Sequence, residues 1–350
     1  MAEGAPVAID TELLRGFRFA CRPDCGLCCY AEPRVEAAER DALIQLLPET
    51  EFRTSGKDAF LAARPDGGAC QFLDGQRCRA HAVRPHPCRE YPLTVHVGRR
   101  LQATVVLSCP GVDLELLLRP EPPGGWPPPV GLSEEFEAVR SRLGAGTARR
   151  LADAARRGRR VERALSEQGR WQTDDEVRRA LAHDLPVPGR AEFPVEDPPA
   201  KDDGLAQLPL FFDERAGPVA IASGLGGWEL VELAPVGGSH PIDLVVPPEQ
   251  PPSVTPEAER MLEGYLRYWL RRDAFLASVQ FEMLDATDGR VSEWAAARLR
   301  ELGALTLSRA VVRAKLSGRD GTRLTSPEVA AGIRAVDQDA LDRPTWGDRF

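Results

Sequence analysis

Aromatic residues are scarce in this 350-residue chain: Phe, Tyr and Trp together make up 6%. Histidines number 5, and Lys57, Lys201 and Lys315 are the only lysines among 45 basic residues. We read the arginine excess as codon bias. No apolar run reaches the ~18 residues of a membrane span, so no membrane span is expected. The start, Met1-Ala2-Glu3-Gly4-Ala5-Pro6, lacks the basic opening and apolar stretch of an export signal, and a cytoplasmic location is the expectation. A net charge of −8 argues against a chain-wide nucleic-acid surface. No Ser–His–Asp grouping or paired-carboxylate motif stands out, which leaves little footing for hydrolytic chemistry. There is no internal repeat. After Cys109 the remaining 241 residues contain no cysteine.

What is present is therefore uneven. All eight cysteines (Cys21, Cys25, Cys28, Cys29, Cys70, Cys78, Cys88 and Cys109) lie in the first third. In a reducing compartment disulfides are rare, and clustered cysteines read as metal ligands or redox groups. The chain is long enough to build a core without disulfide staples.

The rest divides by composition. Residues 1–118 form the cysteine-rich segment. Residues 119–131 hold six prolines and three glycines, a stiff connector because proline fixes φ and removes a donor. From Ser133, taken as lying in an N-cap region, Phe136, Val139, Leu143, Leu151, Ala155, Val161 and Leu165 recur at helical steps. Gly144 and Gly146 divide this stretch, residues 132–185, into two helices. Nine arginines lie between Arg140 and Arg163 against Asp153 and Glu162. Such a face meets phosphate, an acidic partner or a membrane, or stands as a solvated helix face. Aromatics for base stacking are absent there, and the solvated face is the reading preferred.

Residues 186–255 are proline-rich, with strand-like pieces at 208–212, 219–222, 228–233 and 242–246. The run Ser223-Gly-Leu-Gly-Gly227 fails the G-x-G-x-x-G pattern and reads as a hairpin turn. Residues 256–316 return to helix, with Thr255 as cap, Pro256 at the first position, and Met261, Leu262, Tyr265, Leu266, Trp269 and Leu270 as core. Further helices are expected over 275–283 and 291–307. The 317–350 tail reads as polar and loosely held, with one short helix opening at Ser326. The fold class is α+β: a small irregular cysteine-rich metal-binding domain, then a mostly helical region with a short Pro-rich β segment.

The spacing carries the chemistry. In Cys21-Arg-Pro-Asp-Cys25-Gly-Leu-Cys28-Cys29 a C-x-x-C lets two thiolates converge from a tight loop, and Gly26 helps the backbone turn. The adjacent Cys28 and Cys29 side chains are expected to diverge, one of them serving a second metal or standing as a non-ligand thiol. Asp74-Gly75 signals a hairpin that brings Cys70 and Cys78 together. Cys88 and Cys109 each sit in a proline-containing block, and Cys109-Pro110 resembles a ferredoxin-type cluster loop. Eight thiols satisfy two four-sulfur sites, or one site with a reserve, and soft sulfur selects zinc or an iron–sulfur cluster. Arg22, Arg77, Arg79, Arg84 and Arg89 crowd the cysteines, where guanidinium groups stabilise a negative thiolate site.

The run Cys21…Cys25-Gly-Leu-Cys28-Cys29, then Cys70-Gln-Phe-Leu…Cys78…Arg84-Pro85…Cys88-Arg89-Glu90-Tyr91-Pro92, then Cys109-Pro110-Gly111 resembles the YkgJ-like cysteine-cluster family. That family is described as zinc- or iron-chelating, and the resemblance covers about residues 15–112. It implies metal binding through the eight cysteines without settling the metal, zinc or an iron–sulfur cluster (of the [4Fe–4S] kind); Cys28-Cys29 and the Cys109-Pro110 ending, which resemble cluster loops more than zinc-finger loops, favour the cluster. Three features depart from the family pattern. Cys21 and Cys25 are three residues apart instead of two. Ala80 and His81 replace the usual Ile and Tyr, and His81 is read as a packing substitute before a ligand. His86 and His96 are weighed the same way.

Two functions follow. In the first the chain is a metal-binding protein whose remainder serves as scaffold or meets a protein partner. In the second it is a protein-modifying enzyme similar to flagellin lysine N-methylase, to which the helix around Tyr265–Arg272 has a loose likeness. Only that second reading brings in S-adenosylmethionine. The spacing Cys21-x3-Cys25-x2-Cys28 matches that of radical S-adenosylmethionine enzymes, but the strand–helix alternation of their βα barrel is missing. Metal storage or transfer is disfavoured by the long cysteine-free remainder.

Overall fold

The computed structural model describes residues 8–22, 25–30, 32–56, 58–64, 69–75, 77–118, 127–143, 146–182, 185–186, 210–213, 217–224, 227–232, 239–242 and 252–342. The chain is α+β: several small sheets, with the longer helices lying after residue 145.

The cysteine-rich part opens with β1 (Ile9–Asp10). It continues through β2 (Arg34–Val35), α1 (Ala37–Leu46), β3 (Phe52–Ser55) and β4 (Asp58–Leu61). The strands β2, β4 and β3 form an antiparallel sheet in that order. Then come the short hairpin β5 (Leu73–Asp74) and β6 (Arg77–Cys78), the helix α2 (His86–Glu90), and the hairpin β7 (Leu93–Val97) and β8 (Leu101–Val105). The strand β1 adds to β8 in parallel.

Among the described residues three hydrophobic clusters serve this part, the smallest being Cys29, Ala69 and Leu73 with Cys70 packed against them. Val35, Leu43, Leu61, Phe72 and Ala80 make a small satellite core, with Cys70 and Cys78 packed against it. The β7–β8 hairpin instead faces the main core. That core runs from Leu13, Leu14 and Phe17 through Leu93, Val105 and Leu107 to Tyr265, Leu299 and Ile333. The cysteine-bearing loop after β8 is thus seated on the C-terminal helices.

The expected connector lies partly outside the described residues. Its end, 127–131, is bonded to the N-terminal segment: Gly16 N–H donates to the Pro127 carbonyl, and Phe19 N–H to that of Val130. Two helices follow, α3 (Ser133–Arg142) and α4 (Gly146–Glu167), divided where the glycines predict. Ser133 is the first helical residue, and Leu132 holds the cap position. In α5 (Asp174–Leu181) Thr173 and Glu176 cap each other reciprocally, the arrangement that satisfies orphan N–H groups of a first turn.

The proline-rich region carries an antiparallel sheet of β9 (Leu210–Asp213), β10 (Gly217–Gly224), β11 (Gly227–Glu232) and β12 (Ser239–Ile242). Gly224 pairs with Gly227 across the β10–β11 hairpin, so Ser223–Gly227 is the turn region the sequence predicts. Of the strand expected over 242–246 only Ile242 is described, as part of β12, and 243–246 lie outside the described residues.

After β13 (Ser253–Val254), Thr255 caps α6 (Pro256–Arg271) through Ala258 N–H, with proline at the first turn. Then come α7 (Asp273–Glu282), α8 (Val291–Leu316), β14 (Arg323–Leu324) and α9 (Ser326–Asp342). Buried residues appear all round α8, as expected of a helix enclosed by others. The expectation of a loosely held tail is corrected here. The helix α9 has 17 residues and packs on α8 and α6, with Val329, Ile333 and Val336 buried at helical steps. The interspersed alanines and polar residues hide that stripe from composition.

Candidate metal centre

The site grows from three short elements. Cys28 and Cys29 lie in a 3-10 turn, Leu27–Tyr30, entered through Gly26 at φ +61°. A side chain strains that left-handed backbone, so glycine suits the turn. Cys29 N–H donates to the Gly26 carbonyl, and Cys70 N–H donates to the Cys29 carbonyl at 2.7 Å. That bond brings the second cysteine group onto the first. The β5–β6 hairpin then places Cys78 opposite Leu73.

Cys88 sits on α2, which Glu39 anchors. One Glu39 oxygen accepts from His86 N–H at 2.8 Å and from the Arg89 guanidinium at 3.2 Å. The other accepts from Glu36 N–H at the start of α1. One carboxylate therefore ties the helix bearing Cys88 to the satellite core.

Six cysteines (Cys21, Cys28, Cys29, Cys70, Cys78 and Cys88) line one cleft with a volume of about 440 Å³. Arg22, Arg77, His81 and Arg84 also line it. Cys21 and Cys28 are exposed and Cys29 is buried. Cys28 and Cys29 both line the cleft, and Cys29 lies close enough to Cys28 and Cys78 for them to shift its acidity. Cys28 is open to solvent on the cleft side and crowded by protein on the others.

The acidities follow these contacts. Hydrogen bonding with Cys29 lowers Cys28, against the opposing effect of burial. The same partner brings Cys78 down to about 6. Cys29 is raised far above the ordinary thiol range, chiefly by its closeness to Cys28 and Cys78. Burial raises Cys21, Cys70 and Cys88, and neighbouring sulfurs add to it. Arg84 works against this at Cys21, Cys28, Cys78 and Cys88.

Cys25 and Cys109 stand to one side of the cleft. They influence each other, and Cys28 influences Cys109. Burial pushes Cys109 up to about 12. Its loop is held from the far end of the chain: Arg334, on α9, donates to the carbonyls of Leu107 (3.2 Å), Cys109 (2.5 Å) and Val112 (3.1 Å). The buried Asp337 accepts from Leu107 N–H at 2.6 Å and Ser108 N–H at 3.3 Å. Arg272 faces Asp337 at 3.6 Å and lies over the Trp269 ring at 4.2 Å.

Among the described residues, no three His, Cys, Asp or Glu side chains stand in finished metal-ligand geometry. The sulfurs form a hydrogen-bonded thiol group around a cavity. The donor chemistry nevertheless fits zinc or iron: soft sulfur predominates, and Arg84 Nε is buried with no hydrogen-bond partner beside sulfurs that become negative on binding metal.

The histidines separate. His81 is exposed on the cleft rim, while Ala80 packs in the satellite core. His86 Nε2 faces Glu39 at 3.9 Å. His96, on β7, meets Thr104 and lines a different pocket beside α4 and α7. Of the arginines singled out from sequence, Arg22, Arg77 and Arg84 reach the cleft and Arg89 serves Glu39. Glu39, Arg334 and Asp337 escape a sequence reading. The Glu36–Glu39 capping pair is the one local signal, and nothing near Cys109 points to a helix more than 200 residues away.

No curated protein and no solved structure matches the chain. Residues 20–110 match the family model CxxCxxCC, described as a "Putative zinc- or iron-chelating domain". The segment that builds the thiol-lined cleft is thus the segment similar to a zinc- or iron-chelating domain.

Proposed function

We propose that the chain is a metal-binding protein that holds an iron–sulfur cluster through its N-terminal cysteines. One observation carries the reading: six thiols line a single cleft with Arg84 among them. Cys28, Cys29, Cys70 and Cys78 are the central ligand candidates. Cys21 and Cys88 stand at the edge, and Cys25 with Cys109 forms an adjoining pair. A single tetrahedral zinc takes four ligands. A larger sulfur set around a roomy cleft, with guanidinium groups to offset thiolate charge, suits a cluster better. Bound metal needs thiolates, so binding displaces thiol protons and weakens as pH falls. The C-terminal helices act as scaffold, gripping the Cys109 loop, and leave their outer surface for a protein partner.

The test is metal and acid-labile sulfide analysis on protein purified without oxygen, with a visible spectrum. Iron with matching sulfide and broad absorbance near ~400 nm is expected for a thiolate-held cluster. Stoichiometric zinc in colourless protein refutes the cluster. Cys78→Ser and Cys88→Ala lower bound metal per chain, and full retention in both overturns the ligand assignment.

A further inference from the structure

The helix α4 carries a feature that the metal site does not use. Arg149, Arg156, Arg160 and Arg163 follow steps of seven, four and three, which places them along one face over about 21 Å at ~1.5 Å per residue. Arg150 and Arg157 flank the line on one side and Arg159 on the other. All seven are exposed. Among the described residues only Arg156 has a carboxylate partner, Asp153.

This arrangement burdens the helix. Arg156 with Arg159, Arg156 with Arg160, Arg157 with Arg160, Arg159 with Arg163 and Arg160 with Arg163 are like-charge pairs at three- and four-residue spacing, each of them destabilising. Within α4 three acids stand against the seven arginines: Asp153, paired with Arg156, and the exposed Glu162 and Glu167. The chain's net charge is −8, so this concentration of positive charge is local.

The chemistry of the face selects among anionic partners. The exposed residues beside the arginines are the alanines Ala148 and Ala152 and, at the helix end, Glu167, so the face has no aromatic or large apolar anchor for a protein interface. The apolar side of α4 (Ala154, Val161 and Leu165) is buried in the fold and is not free to enter a lipid surface. Without aromatics it offers no stacking platform for single strands. With its back against the core α4 cannot enter a groove fully, which keeps its arginines from the base edges they would otherwise read. Backbone phosphates satisfy what remains, because arginine pairs with phosphate without any apolar contact.

We propose that this face of α4 binds the phosphate backbone of duplex nucleic acid without sequence preference. The surface is independent of the cysteine cleft.

The experiment is fluorescence anisotropy of a labelled 20-bp DNA duplex with the full chain at 50 and 200 mM salt. Four phosphate contacts give a log–log salt slope of about −3.6, or roughly 150-fold weaker binding across that range. An Arg149→Gln/Arg160→Gln/Arg163→Gln variant leaves one contact of the line, with a slope near −0.9. Its thermal stability stays equal or rises, because like charges have been removed, so loss of binding is not loss of fold. Unchanged duplex binding by the variant, or none by the parent chain at 50 mM salt, overturns the proposal. So does tighter binding to single-stranded DNA, to poly-glutamate or to vesicles of anionic lipid than to the duplex.

Discussion

Replacing Arg334 by Gln tests whether the C-terminal helix α9 holds the Cys109 loop. The guanidinium serves three carbonyls, those of Leu107, Cys109 and Val112. All three residues are buried. A buried acceptor left without a donor costs about 1–3 kcal/mol. Arg334 is itself half-buried, so water recovers part of that, and a total of about 3 kcal/mol is expected. Because β7, β8 and the loop share the main core with α6, α8 and α9, the loss spreads to global unfolding. Urea titration followed by tryptophan fluorescence reads it, and Trp269 in that core supplies a probe. Arg334→Lys keeps the charge but lacks the fork that reaches three carbonyls, and it recovers only part of the loss. A Gln variant within about 0.5 kcal/mol of the parent chain, the range of an ordinary surface substitution, refutes the docking argument. A Lys variant equal to the parent shows that charge, not the fork, holds the loop.

His96 makes stability depend on pH. Burial, with Arg272 second, brings its pKa down to about 4 from 6.5. The unfolded chain therefore binds a proton that the folded ring refuses. The contribution is whole above about pH 6.5 and is lost as pH falls towards 4, by up to about 3 kcal/mol. His96→Gln flattens that limb of the stability–pH curve, and an unchanged limb disproves the assignment. Gly332, on α9, passes so near α8 that an added Cβ would meet the Thr306 carbonyl and the Ala310 N–H. Although alanine is the better helix former, Gly332→Ala should lower stability by about 1–3 kcal/mol through overpacking. A gain in melting temperature contradicts the close approach.

The helices were legible where local chemistry is decisive. Thr255-Pro256 starts α6, and the apolar steps from Met261 to Trp269 face the core as read. The Gly144–Gly146 break and the Ser223–Gly227 hairpin also follow from short-range backbone preference. The tail misled because three buried side chains, Val329, Ile333 and Val336, are diluted by small and polar residues. Only their partners on α6 and α8 reveal that they form a core stripe.

By itself the sequence determined that the chemistry lies in the first third, since cysteine spacing is a local property and thiol softness limits the metals. Which cysteines meet was a tertiary decision. Cys21 and Cys88 join the central four at one cleft, while Cys25 and Cys109 stand beside it. The approach of Cys78 to Cys29 spans some 50 residues. The grip of Arg334 and Asp337 on the Cys109 loop crosses more than 200. Pattern reading sees periodicity within one element. A buried carbonyl or amide takes whichever donor or acceptor the packed core brings to it, however distant in the chain.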